Sequence, residues 1–337
     1  MRSLLISHCD LDGMGSPIVA ICMNLGFTDI ECHDYHFDLE EGVLDHLRTY
    51  DKIIVADLTL NESTHRTLLA EGKIVEVYDH HDNEETGYVK NLPGSVLDHE
   101  RCGTKIFFED YACKQKSRYP ALLGDFVELI NTYDLWKEDS PLWEEAFSLN
   151  RVLYKYTNYN EKTDKLKAAR DFVDEQIKKI FSGAEKWFWT TYEAQAIESA
   201  KEMESVRLNQ ALDTMTFRID RRGNQFGAFV LPGKISYVAS KILGKYDFLD
   251  YCFICNNYRS LTGKVSARSN RGFDCTNLAS VNGHAAAAGG LITPAEAKLF
   301  LSDINQVPIY KDDPEFIVNE NVKIIFYDQK EAINKNI

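Results

Sequence analysis

The sequence predicts an α/β protein: a parallel-sheet first domain with a helical cover, a helical connector, and a smaller α/β second domain. Three observations carry this. Short β-branched runs alternate with amphipathic segments over the first ninety residues, the rhythm of βαβ units. From Cys102 to about Met215 the apolar periodicity is mainly helical, and after about residue 215 strand character returns. At 337 residues the chain also exceeds the roughly 250 at which single cores usually stop growing, so two domains are expected.

The elements follow in order. SLLIS opens as a strand, then a helix from about Gly13 to Leu25, the strand DIECH, a helix near 40–48, the strand KIIVAD, a helix near 61–71 and the strand KIVEVYD. FFEDYACK, ALLGDFVELINTYDLW and the run from ARDFVDEQIKK through SGAEKWFW to EMESVRLNQAL read as helices over the sheet and then a connector. TFRID, FGAFVL, DYCFICN and GKVSARS read as strands, followed by a glycine- and alanine-rich segment and a last helix near 294–305. The expected divisions are 1–200 for the first domain, helical from about 102, then 201–215 for the connector, 216–310 for the second domain and 311–337 for a tail that can add an edge strand. No internal repeat or low-complexity tract is present.

Composition narrows the function classes. Hydrophobic residues at 44% and charged residues at 27% describe a folded globular chain. A formal net charge of −14 argues against a broad basic face for long duplex nucleic acid, so any nucleic-acid substrate should be short. Carboxylates that hold divalent cations present positive charge locally, whatever the overall balance. The eight cysteines are scattered without a secretory signal and read as reduced thiols; Cys252 and Cys255 form a CxxC inside an apolar run with no second pair, which favours core packing over zinc. No stretch approaches the roughly 18 apolar residues that span a bilayer, so a cytoplasmic protein without membrane partners is expected.

The sharpest signal is where metal-capable residues fall. His8, Asp10 and Asp12 follow the first predicted strand, Asp57 ends the third, and Asp79, His80 and His81 end the fourth. In a parallel sheet these carboxyl ends share one edge, where such folds bind ligands. Several carboxylates in one cleft repel one another unless cations or protons neutralise them, and mixed imidazole and carboxylate ligands suit manganese or zinc better than calcium. Divalent ions are expected, manganese first, with magnesium or cobalt as alternatives. Each piece alone has a plainer reading: HCDLDG as an N-cap and turn, Asp57 as a cap, Asp79 and His80 as a polar loop. Agreement of all three at one sheet edge makes that reading the weaker one.

HCDLDG at 8–13, DLT at 57–59 and DHH at 79–81 resemble the first three motifs of the DHH phosphoesterase superfamily, whose members include single-strand exonucleases, nanoRNases and manganese pyrophosphatases. Asp134 in NTYDLW resembles the fourth, with Asp125 in the same segment a competitor. The layout is most similar to the oligoribonuclease B (nanoRNase) and cyclic-nucleotide phosphodiesterase branch. The resemblance implies one metal on His8, Asp10 and Asp57 and another on Asp12, Asp57, His80 and Asp134, with Asp57 bridging. It makes Asp57 and His81 catalytic, His81 facing the substrate phosphate while Asp79 orients a neighbouring histidine.

VNGHAAAAGG at 281–290 sets a histidine in a small-residue run whose amides could hold an anion, although such a run is more often tight helix packing. It resembles the GGGHxxAAG motif of the DHH-associated domain, with Asn282 where glycine is usual. Gly283, His284 and Gly289 are the phosphate-binding candidates there, and Arg268 in GKVSARSN resembles the family's substrate-contacting arginine. The resemblance places the active site in an interdomain cleft. The implied function is hydrolysis of nanoRNA or dinucleotides to mononucleotides by two-metal activation of water. The alternatives are phosphatase, pyrophosphatase or cyclic-nucleotide phosphodiesterase action on small nucleotides, and a non-catalytic nucleotide sensor. The expected partner is a short single-stranded oligonucleotide or small nucleotide, and a homodimer is compatible with the sequence.

Overall fold

The structure, a computed structural model, describes residues 1–34, 37–81, 86–157, 165–220, 222–231, 235–255, 263–269, 272–278, 281–284, 287–292 and 310. Side chains at 165–168, 263–264, 282–284 and 291–292 lie outside the description, as do the expected helix near 294–305 and the tail. The chain divides into two compact units, Met1–Ala200 and Lys201–Ile337.

Unit one is an α/β layer structure. Strands β1 (Ser3–His8), β2 (Asp29–His33), β3 (Lys52–Ala56), β4 (Ile74–Asp79) and the short β5 (Val96–Leu97) form one parallel sheet in the order β2-β1-β3-β4-β5. Alternation of side chains along each strand divides the core between the two faces. Leu4, Ile6, Ile53, Val55, Val75 and Val77 pack on one face with Leu47 of α2 (Val43–Arg48) and Leu68 of α3 (Glu62–Ala70). Leu5, Ile54, Ala56 and Tyr78 pack on the other against α1 (Leu11–Cys22) and the helical layer that begins at Gly103.

That layer starts with α4 (Gly103–Ile106), passes through a wider π turn at Phe107–Ala112 and ends in α5 (Cys113–Gln115). It continues with α6 (Ala121–Asp134), α7 (Trp143–Tyr156), α8 (Lys165–Ile180) and the long α9 (Thr191–Thr214). The expected helix through SGAEKWFW does not form: the chain leaves α8 at Ile180, and Gly183 takes φ +77°. The physical reason is a buried ion pair. Lys179 donates to both carboxylate oxygens of Glu193 at 3.1 and 3.0 Å, and the rings of Trp187 and Trp189 lie 4.2 and 4.6 Å from its ammonium, so the intervening chain wraps the charge instead of coiling.

Unit two carries a mixed six-stranded sheet in the order β10-β11-β9-β8-β7-β6, from β6 (Thr216–Ile219), β7 (Gln225–Val230), β8 (Tyr251–Cys255), β9 (Gly263–Ser269), β10 (Asn282–His284) and β11 (Ala287–Ile292). Only β7 and β8 pair in parallel, and the crossover between them holds α10 (Ser236–Lys245), a helix the strand-centred reading overlooked. Its buried Val238, Ala239, Ile242 and Leu243 have the i, i+1, i+4, i+5 spacing of one helical face. The glycine- and alanine-rich segment is a strand pair, not tight helix packing: β10 and β11 are antiparallel, and small residues let β11 lie against β9. Cys252 and Cys255 are both buried in β8, three residues apart and on opposite faces, which rules out a shared metal. Beyond β11, Tyr310 returns to the β6–β7 turn, where its hydroxyl donates to the buried Asp220 carboxylate and accepts from Asn224 at 2.8 Å. Tyr251 also donates to Asp220, at 3.1 Å.

Candidate metal centre

The strand order 2-1-3-4-5 reverses between β1 and β3, and the carboxyl ends on either side of such a switch point form the natural ligand crevice of an open parallel sheet. His8 ends β1, Asp10 caps α1 by accepting from the Gly13 amide at 3.0 Å, and Asp12 lies in the first turn of that helix. Gly13 is required there, since a Cβ would fall 2.0 Å from the His8 carbonyl oxygen. Asp57 follows β3 with φ +55°, a backbone conformation that non-glycine residues adopt only where surroundings enforce it.

Two ligand sets converge from these positions. His8, Asp10 and Asp57 each offer an atom to one, and Asp12, His80 and Asp134 to the other, with the atoms of each set within 4.8 Å of one another. His8 Nδ1 lies 3.2 Å from Asp10 Oδ2 and 3.9 Å from Asp57 Oδ2. His80 Nε2 lies 3.7 Å from Asp12, 3.3 Å from Asp57 Oδ1 and 3.4 Å from Asp134 Oδ2. Asp57 thus turns one oxygen towards each histidine. Asp134, at the end of α6, reaches the cluster, whereas Asp125, its competitor in the same helix, is exposed.

The electrostatics are those of an anionic cavity. Burial, followed by the charges of Asp12 and Asp10, holds Asp57 and Asp134 well above the usual carboxylate range. Burial would also raise Asp10, but the His8 imidazole and the Gly13 amide outweigh it and hold Asp10 low. Desolvation lowers His80 and keeps its imidazole neutral, the form that offers a lone pair. The buried Asp57 Oδ2 and Asp134 Oδ2 accept no hydrogen bond from any described residue. Buried carboxylate oxygens left without donors, grouped with neutral imidazole nitrogen, are the donor set of a hard-to-borderline divalent cation, and the residues fit such an ion.

A supporting ring fixes these groups. The Asp79 carboxylate accepts from the backbone amides of His80 and His81 at 2.7 and 3.3 Å and contacts His81 Nδ1 at 2.7 Å. Burial depresses His81, but Asp79 overrides it and raises the imidazole. The Thr59 hydroxyl donates to the other Asp79 oxygen, which gives the third residue of DLT its task.

One part of this ring was missed in the sequence. Asp12 accepts from the Gly103 and Thr104 amides at 2.6 and 2.8 Å, so the amino end of α4 clamps its carboxylate. Gly103 presses on Asp57 so closely that a Cβ would come within 2.5 Å of the Asp57 Cβ. A glycine and a threonine at the start of a helical pattern in RCGTKIFF were the available signal.

In unit two, Arg268 Nη1 donates to the carbonyls of Ala267 and Ala288 at 2.8 and 3.2 Å, and Nη2 donates to Ser236 at the start of α10 at 3.3 Å. Gly289 pairs with Asn282 on one side and Ser266 on the other, and Gly283 pairs with Ala288. The His284 side chain lies outside the described residues.

A parallel sheet that gathers carboxylates and imidazoles from three strand ends into one buried cluster defines an α/β protein with a polar site at its switch point. Within that class the fold is similar to that of solved DHH-domain structures. The DHH domain of a member of a ribosomal-protein family superposes with a TM-score of 0.56 at 14% identity, covering 89% of this chain and 84% of that one. A pGpG-specific phosphodiesterase, PggH from Vibrio cholerae, gives 0.52 at 12% identity over 90% of this chain and 100% of its own. RecJ from Thermus thermophilus, in complex with Mn2+, gives 0.52 at 18% identity over 90% of this chain and 51% of its own. No protein-family model matches the chain, and no curated protein matches it.

Proposed function

We propose that this chain is a metal-dependent phosphoesterase that hydrolyses short oligonucleotides or small nucleotides to mononucleotides. The observation that carries the reading is the pair of ligand sets, His8–Asp10–Asp57 and Asp12–His80–Asp134, joined through the two oxygens of Asp57. The mixed nitrogen and oxygen donors favour manganese, with magnesium or cobalt as substitutes. Such a pair of cations, when bound, supplies Lewis-acid polarisation of the phosphoryl group and a water of lowered pKa.

The protein's own residues do the rest. Asp57, immobilised by its left-handed backbone and by Gly103, holds the two sets in register. Asp79 fixes His81 through Nδ1 and raises its imidazole, which favours the form that donates through Nε2 to a phosphate oxygen and stabilises charge that develops there. Within unit two, Arg268, held by two strand carbonyls and Ser236, is the proposed phosphate-binding group together with Gly283, His284 and Gly289. The similarity to PggH and RecJ supports a nucleotide substrate, and the net charge of −14 supports a short one.

The test is hydrolysis of pApA, cyclic AMP, a 24-mer RNA and pyrophosphate with manganese. Faster turnover of pApA than of the 24-mer, abolished in Asp57→Ala while circular dichroism stays native, is the expected result. Phosphate release from pyrophosphate alone would move the protein to the pyrophosphatase reading, and wild-type rates in Asp57→Ala would reject the metal centre.

A further inference from the structure

Two residues beyond Asp134 the chain does something costly. Helix α6 closes with a turn in which the Lys137 amide donates to the Thr132 carbonyl and the Trp136 amide to the Tyr133 carbonyl, both at 3.0 Å. The residue at the left-handed position of such a turn is usually glycine, because a Cβ there crowds the following carbonyl. Here it is Trp136, at φ +51°. Strain at a bulky residue beside a site is a reason to ask what the side chain does.

Burial does not explain it, for both Trp136 and its neighbour Trp143 remain partly exposed. The Trp136 indole is nonetheless fixed. Its Nε1 donates to Glu138 at 3.1 Å, and Trp143, Phe147 and Tyr133 meet it at centroid distances of 5.0, 5.9 and 5.8 Å with interplanar angles of 69°, 84° and 58°. These are tilted or edge contacts, and no described ring stacks parallel on Trp136. The result is a fixed, partly exposed aromatic plane on the same turn as the carboxylate that stands 3.4 Å from His80. Stacking on such planes is how proteins hold bases of single-stranded nucleic acid.

We propose that Trp136, braced by Trp143, is the platform on which a nucleobase of the substrate stacks, and that it selects base-bearing phosphodiesters over base-free phosphates. The inference rests on the nucleotide-hydrolase reading above and adds to it the group that recognises the base. Stacking on a ring face reads no base edge, so the platform tolerates all four bases.

The experiment compares wild type, Trp136→Gly and Trp136→Phe on pApA and on the same dinucleotide backbone without bases. Glycine suits the left-handed turn, so the first variant is expected to fold and its melting temperature is the control. The discrimination ratio, kcat/KM for pApA over kcat/KM for the abasic analogue, should fall about tenfold or more in Trp136→Gly, through KM, and recover in part in Trp136→Phe. Titration of AMP with tryptophan fluorescence, in a chelator, should quench wild type and lose most of that quenching in Trp136→Gly. An unchanged ratio in an enzyme that cleaves pApA would overturn the platform and leave the hydrolase reading standing. Equal loss on both substrates would also overturn it, because the turn would then serve only to position Asp134. Absence of pApA cleavage in every variant would sink the hydrolase reading, and the fluorescence titration would still decide the platform.

Discussion

Asp57 concentrates the physics of this protein in one residue. It sits where a strand ends, in a backbone conformation that its own side chain disfavours, among other acids. What keeps it there is contact with Gly103, where no side chain fits. Gly103→Ala should therefore act as an active-site mutation made from a remote glycine. The added methyl meets backbone and Cβ atoms that cannot rotate away, so a loss of about 1–3 kcal/mol in stability is expected, with weaker Mn2+ binding. Thermal denaturation and Mn2+ calorimetry would check it, and wild-type affinity would show that the clamp is dispensable. At this scale much was legible: the acids and imidazoles at three strand ends stand together as their positions predict. The left-handed Asp57 and the Gly103 contact were not, because both depend on a residue 46 positions away in sequence. Asp134 over Asp125 could have been settled by counting, since nine residues at about 100° each bring a side chain to the opposite face of a helix.

At the scale of elements, the parallel sheet was readable because strands buried on both faces read as continuous apolar runs. The two errors differ in kind. Helix α10, with only Val238 and Ile242 β-branched, carries a helical face that the sequence shows, whereas the chain after α8 carries helical residues through Trp189 without coiling, because a tertiary demand overrides local preference. In the second case the demand is Lys179, almost fully buried against Glu193. Removing one partner should leave an uncompensated buried charge: Glu193→Leu is expected to cost about 3–5 kcal/mol, and Lys179→Met with Glu193→Leu distinctly less. Urea denaturation of the single and double variants decides it, and additive losses would mean that the pair is not coupled.

The molecule as a whole is acidic and gathers its most mutually repelling groups in one cluster of unit one. Folding the apo chain works against that repulsion, and cations relieve it. Mn2+ should accordingly raise the melting temperature of unit one, by the equivalent of about 2.7 kcal/mol at a hundredfold excess over the dissociation constant. Asp57→Asn should melt higher than wild type without metal and gain less from Mn2+. Differential scanning calorimetry with and without a chelator would show it, and a shift of equal size in both proteins would place the bound ions elsewhere. The chain divides into two compact units, and length with the return of strand character predicts two domains. Among the described residues no helix is long and apolar enough to cross a membrane.

Tyr310 bears on how this chain can be handled. Its hydroxyl and that of Tyr251 both donate to the Asp220 carboxylate behind the β6–β7 turn, and the Arg222 guanidinium lies 3.8 Å from the centre of its ring. A shortened version that stops after β11 would therefore keep every described strand of the second sheet, yet strip the buried Asp220 carboxylate of one of its donors. Whoever designs an expression fragment should let it run past position 310, however dispensable the residues between look on the page.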